Sequence, residues 1–427
     1  MKSGVAESKA HSTSGSSRWS TSRRNSDILI DHFTKYCEAF VKLAILVCIV
    51  NMLQGCFPLW GKVEIKGDNE QQLLGVWDSL KNSSDVQPVR MLYIHGMGIY
   101  TDMEFAQTFA NSLTEKLNLT KGGCEEEIPL QNNLETSPGG QLPQAKLSIC
   151  TYADSQRRTL QLYAVRWSPL TEGIKKAVLS YDSAENYEDD RVKYNREMKK
   201  EVMNESLSDP LLYLSPHYQD DLQLVMQQAI CFIASRNDSC ETVKPTMGVQ
   251  QNNRGLFIIT ESLGSTMLYD TLKKIYRDGD SLKAAGEKLI RDSVVHYMFA
   301  NQLPLLCLGR YDPAPGDKGR DCITNTGTKA AQQDKPLTIV AFSDPNDLLS
   351  YPLKKEQFQE LAISNPVAVT NVLLNVEKWT LLYVFVHPHD AHTGHRKNAD
   401  VLQIIACGID NKKPKECKPA PTRAGMF

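Results

Sequence analysis

The sequence predicts an α/β fold, a mostly parallel sheet with helices on both faces. Runs such as VRMLYI, LFIIT and LTIVAF are apolar over most of their length, as strands buried on both faces of a sheet must be. Between such runs lie segments with the 3.6-residue period of amphipathic helices, the alternation that builds a parallel sheet. With 427 residues, 41% hydrophobic and 23% charged, the chain can bury a large core in one big domain or two ordinary ones. A net charge of -2 and a pI near 6.5 leave no basic footprint for nucleic acid.

VRMLYIHG (89–96) reads as the first strand and runs into glycine turns. Thr101 or Asp102 can cap the helix that follows, whose Phe105, Phe109, Leu113 and Leu117 share one face. Residues 120–145 are rich in Gly, Pro, Gln and Glu and read as a surface insertion. LQLYAVRWS (160–168) is a second strand. A charged, then proline-punctuated stretch over about 170–216 reads as a second insertion, and Leu222, Val225, Met226, Ala229, Phe232 and Ile233 mark an amphipathic helix beyond it. RGLFIIT (254–260), HYMFANQLPLLCLG (296–309), PLTIVAFS (336–343) and WTLLYVFV (379–386) are the remaining strands. Residues 88–410 thus form the domain, with a linker over 57–87 and a loose Lys/Pro-rich tail over 411–427.

Residues 1–56 are of another kind. The first 26 are Ser-rich, with Arg18, Arg23 and Arg24, and cannot build a core. LAILVCIVNML (43–53) follows Lys42 and is shorter than the roughly 20 residues of a spanning helix, so it reads as the apolar part of a secretory signal. It exits through Leu53-Gln54-Gly55-Cys56, which resembles the lipobox of bacterial lipoproteins. That resemblance implies export, lipidation of Cys56 and a lipid anchor in a bacterial membrane, on its periplasmic or outer-membrane face. Beyond Cys56 stand eight cysteines, an even number suited to disulfides, with Cys231 and Cys240 the nearest in sequence. No CxxC pair supports a zinc ribbon or a thioredoxin-like site.

Chemistry concentrates in four places. In ITESLGS a serine stands between a strand and a helix, where a tight turn can hold a nucleophile exposed; Gly264 suits such a turn, and Thr260 is bulkier than the glycine usual there. The others are YIHGMG after the first strand, FSDPND with Asp344 and Asp347, and AHTGH with His392 and His395.

Taken together, these motifs resemble the α/β-hydrolase superfamily, specifically its lipase- and esterase-like bacterial lipoproteins, over roughly residues 88–408. The resemblance implies Ser262 as nucleophile, His392 as general base and then acid, and Asp347, with Asp344 as rival, as the acid that orients the imidazole. It places the oxyanion hole at Gly96 and Met97 of the glycine turn and at the N–H of Leu263. An acyl-ester or lipid substrate, a membrane partner through the anchor, and no metal or other cofactor are implied. The insertion near 170–216 would then cap the site.

Two other readings stand beside it. HPHDAH (387–392) gathers His387, His389 and His392 with Asp390, all metal-ligand types, and would suit a metal-dependent hydrolase. A surface lipoprotein that keeps the fold only for binding is the other.

Overall fold

The computed structural model describes residues 36, 40–46, 63–67, 72–125, 127–134, 144–179, 191–235, 255–278, 282–308, 337–355, 357–358, 367–376 and 388–417. Its contacts divide the chain into two units, Met1–Pro58 with Trp379–Phe385, and Leu59–Lys378 with Val386–Phe427. In the first unit residues 40–46 are helical, with Phe40, Val41, Leu43, Ile45 and Leu46 exposed. No described helix is long and apolar enough to cross a membrane. Cys56 and the strand expected over 379–386 lie outside the described residues.

The described residues of the second unit form thirteen strands: β1 (Glu64–Gly67), β2 (Leu73–Leu74), β3 (Val89–Ile94), β4 (Thr120–Cys124), β5 (Ile128–Leu130), β6 (Ala145–Ala153), β7 (Thr159–Arg166), β8 (Leu256–Glu261), β9 (Ser293–Phe299), β10 (Leu337–Ser343), β11 (Val367–Leu373), β12 (Gly408–Asp410) and β13 (Lys413–Pro414). The main sheet runs β1-β11-β10-β9-β8-β3-β7-β6-β4, with β5 also on β6. From β11 to β7 every pairing is parallel; β6 is antiparallel to β7, and β1 is antiparallel to β11.

Burial follows the two-residue period of the strands. Leu92 and Ile94 of β3, Ile258 of β8 and Ile339 of β10 pack on one face with the helices Pro216–Ser235, Leu263–Asp278 and Leu282–Asp292. Met91 and Tyr93, Phe257 and Ile259, and Val340 and Phe342 pack on the other with the helices Val76–Leu80, Glu104–Leu117 and Ala399–Cys407. The expected α/β layering, with a mostly parallel sheet between helices, is therefore present.

Several elements differ from the sequence reading. Residues 57–87, expected as a linker, supply β1, β2 and a short helix whose Val76, Trp77 and Leu80 share one face and are buried. Within the first expected insertion, β4 and β5 extend the sheet edge along β6. The strand expected to run through 309 ends at Phe299, and Leu303–Leu308 is a helix. In the expected tail, β13 pairs with β12 in a second sheet completed by β2. A disulfide joins Cys407 to Cys417, and another joins Cys124 to Cys150 across β4 and β6. Cys231 and Cys307 are disulfide-bonded as well; Cys240 lies outside the described residues.

This order positions a site. After β3 the chain adds β7 on one side, then crosses to add β8 on the other, so a crevice opens at the C-terminal ends of the strands beside β3. The YIHGMG, ITESLGS and FSDPND motifs follow β3, β8 and β10 at that same edge.

Candidate active site

β8 delivers Thr260 and Glu261, both buried, and the chain turns at Ser262 into the helix Leu263–Asp278. Ser262 has φ = +51°, a left-handed conformation that costs a residue with a side chain about 1–2 kcal/mol. The surroundings hold it there: the Ser262 N–H donates to the Phe299 carbonyl at the end of β9 (2.8 Å), and the Ser265 N–H donates to the Ser262 carbonyl (3.0 Å). Two glycines leave the room. A Cβ on Gly264 would stand 2.6 Å from the His95 carbonyl oxygen, and one on Gly96 would stand 2.7 Å from the Ser262 Cβ. The bulk of Thr260 is absorbed by the interior, its hydroxyl lying 2.9 Å from both Ser265 Oγ and His296 Nε2. Burial pushes the His296 pKa down to about 3, so that ring is neutral.

The loop after β10 carries both acids. Asp347 Oδ1 accepts from the Leu349 N–H (3.0 Å), and its Oδ2 lies 2.8 Å from His392 Nδ1. Asp344 faces elsewhere: Oδ1 accepts from the Asn346 N–H (2.8 Å) and Nδ2 (3.0 Å), and Oδ2 accepts from the Val376 N–H (2.6 Å). His392 sits in the short helix Pro388–Thr393 with its Nε2 2.8 Å from Ser262 Oγ. Because a carboxylate only accepts, Nδ1 carries the ring proton and the Nε2 lone pair faces the serine hydroxyl. The structure thus brings Ser262, His392 and Asp347 together, all three buried.

The glycine turn after β3 is held from two sides. His95, buried, stacks on Trp167 with centroids 4.7 Å apart. Its Nε2 accepts from the Trp167 N–H (3.1 Å), its carbonyl accepts from Trp167 Nε1 (3.0 Å), and its Nδ1 therefore donates to the Gly96 carbonyl (2.7 Å). Burial holds the His95 pKa well below its usual value. Gly98, at φ = +121°, donates its N–H to Asp209 Oδ2 (2.8 Å). The other Asp209 oxygen takes the Thr171 hydroxyl (2.8 Å) and Lys175 Nζ (2.9 Å). Leu263 opens its helix, so its N–H is a first-turn donor with no partner within the helix.

A cavity of about 410 Å³ lies over these groups. Met97, Gly98, Ile99 and Tyr100 form one wall, and Asp347, Leu348, Leu349 and His392 form another. The third comes from the second expected insertion: Met198, Glu201, Val202, Glu205 and Leu207 of a π-helix spanning Met198–Leu207, a rare form that recurs at functional sites. No lysine or arginine is among the described residues lining the cavity. Ser262, 1% exposed, does not itself line the cavity; it meets His392, which does.

The histidine cluster divides differently. His392 meets Ser262 and Asp347, His389 is exposed, and His387 lies outside the described residues. Among the described residues no group of three His, Cys, Asp or Glu side chains is arranged to hold a metal ion. Glu261 and Asp209 also hold turns of the site, and neither stands in a motif that the sequence analysis singles out for it. Their partners, Arg396 and Gly98, are 135 and 111 positions away, and no local pattern announces them.

No protein-family model matches the chain, and no curated protein does. A solved structure of an esterase from Pyrobaculum calidifontis is similar at a TM-score of 0.25 and 10% identity, covering 72% of this chain and 94% of that one. A likeness at that level carries no argument about fold or chemistry.

Proposed function

We propose that this chain is a serine ester hydrolase of the α/β-hydrolase type that cleaves an acyl ester. The observation that carries the reading is Ser262 Oγ, on a turn held at φ = +51°, standing 2.8 Å from an imidazole nitrogen whose ring is bonded on its far side to Asp347. As Ser262 Oγ attacks the acyl carbon, its proton passes to His392 Nε2, and Asp347 stabilises the imidazolium that forms. The carbonyl oxygen, now negative, meets the N–H groups of Met97 and Leu263, with Gly96 leaving room for it; each such donor is worth about 3–4 kcal/mol. Collapse expels the alcohol, which takes the proton from His392 and leaves the acyl group on Ser262. Water, deprotonated by His392, then releases the acid and restores the serine.

The mostly apolar lining supports an acyl or lipid chain as substrate, and the segment 198–207 acts as a cap over it. Chromogenic esters of graded chain length test the activity: turnover lost in Ser262→Ala and indifferent to chelator supports the reading, and turnover that survives Ser262→Ala overturns it. We further propose export and a lipid anchor at Cys56, which the disulfides Cys124–Cys150 and Cys407–Cys417 support as marks of an oxidising compartment. The mass of the mature N-terminus from the native host tests this, and an intact Met1 overturns it.

A further inference from the structure

We propose that Arg396 is a positioning residue for this site, binding the nucleophile turn, the histidine loop and the glycine turn into one unit. The proposal rests on the serine-hydrolase reading. Glu261 directly precedes Ser262 and is 1% exposed. Arg396 follows His392 by four residues and grips that carboxylate along one edge: Nε lies 3.0 Å from both Glu261 oxygens, and Nη2 lies 2.7 Å from Oε2. The same Nη2 donates to the Tyr100 hydroxyl oxygen (2.7 Å), two residues past Gly98. Tyr93 completes the cluster by donating its hydroxyl to Glu261 Oε2 (3.2 Å).

The segments at the ends of β3 and β8 therefore meet on one guanidinium, carried by the 3-10 turn Gly394–Arg396 that follows the helix of His392. Its planar fork can bind a carboxylate along an edge and a hydroxyl at the tip together, which a lysine ammonium cannot reproduce. Burial works against the Arg396 charge, but Glu261, Tyr100 and Tyr93 outweigh it, so the clamp stays charged. A buried ion pair of this kind contributes little net stability over a well-packed apolar pair. Its value lies in geometry, since a misplacement of about 1 Å between nucleophile and base can cost on the order of a hundredfold in rate.

The test compares Arg396→Lys, Arg396→Ala and the double variant Glu261→Met/Arg396→Met with wild type and Ser262→Ala. Urea midpoints, kcat and KM on a chromogenic ester, and the rate of fluorophosphonate labelling are measured. Arg396→Lys is expected to lose about a hundredfold in kcat with KM changed less than about threefold, and added guanidinium, but not ammonium, is expected to restore part of the Arg396→Ala rate. The double variant keeps the fold without the fork, so its kcat is expected to stay low at a wild-type urea midpoint. Wild-type kcat in Arg396→Lys or in the double variant, with Ser262→Ala inactive, overturns this proposal alone. Full turnover in Ser262→Ala overturns the hydrolase reading, and this proposal with it.

Discussion

His392 Nδ1 lies 2.8 Å from Asp347 Oδ2, whereas Asp344, three residues earlier, spends both oxygens on Asn346 and the Val376 N–H. The two acids share a loop and have different work. Asp347→Asn is expected to lower kcat by about 10⁴-fold with the fold retained, because the amide favours the wrong imidazole tautomer. Asp344→Asn is expected to act on stability, by about 1–3 kcal/mol, through the lost acceptor for Val376. Steady-state kinetics and urea unfolding of both variants check the division; equal kinetic losses would contradict it.

The turn at Ser262 gives a prediction about strain. Gly264→Ala would set a Cβ against the His95 carbonyl oxygen, and is expected to cost about 1–3 kcal/mol and most of the activity. Ser262→Gly removes the left-handed strain that Ser262→Ala retains, and is expected to be the more stable of the two inactive variants by about 0.5–1 kcal/mol. Chemical denaturation of the pair decides it.

Beside His392, three buried histidines among the described residues predict the response to acid. Burial lowers the pKa values of His95, His296 and His395, His296 to about 3. The unfolded chain, with histidine pKa values near 6.5, then binds more protons than the folded one as pH falls below that value. The stability is present above about pH 6.5 and is lost on acidification toward the folded pKa values, by up to about 1.4 kcal/mol per pH unit for each ring. Urea midpoints between pH 7.5 and 5 should fall accordingly, and His296→Gln should flatten the slope by one ring's share.

The cavity predicts a charge preference. Glu201 and Glu205 line it from one turn of the π-helix, with no lysine or arginine among the described lining residues. Esters whose acyl chain ends in a carboxylate should show kcat/KM about tenfold below neutral chains of equal length, from two partly solvated repulsions of up to about 1 kcal/mol each. Glu201→Gln/Glu205→Gln should narrow that ratio. An unchanged ratio would contradict the cavity's role in substrate binding.

Burial decided what could be read from sequence. VRMLYI, LFIIT and LTIVAF were legible as strands because nearly all their residues are buried. β11, VAVTNVL, is interrupted by Thr370 and Asn371, which an apolar-run criterion passes over. LPLLCL is too short an apolar run for periodicity to separate helix from strand, and it followed a genuine strand. At the site, Ser262, Asp347 and His392 were named because their types recur in short motifs. Asp209 and Arg396 were not, because their contacts exist only once β3, β8 and the helix Ser208–Tyr213 are folded together.

The most direct test of the account is covalent labelling of Ser262 with a fluorophosphonate, read by peptide mass spectrometry beside ester turnover, with and without chelator. The arrangement of Ser262, His392 and Asp347 predicts one modified serine, at 262, with labelling and turnover both lost in Ser262→Ala and sharply reduced in His392→Ala. Chelator should change neither. Turnover that persists in Ser262→Ala and disappears with chelator would contradict it.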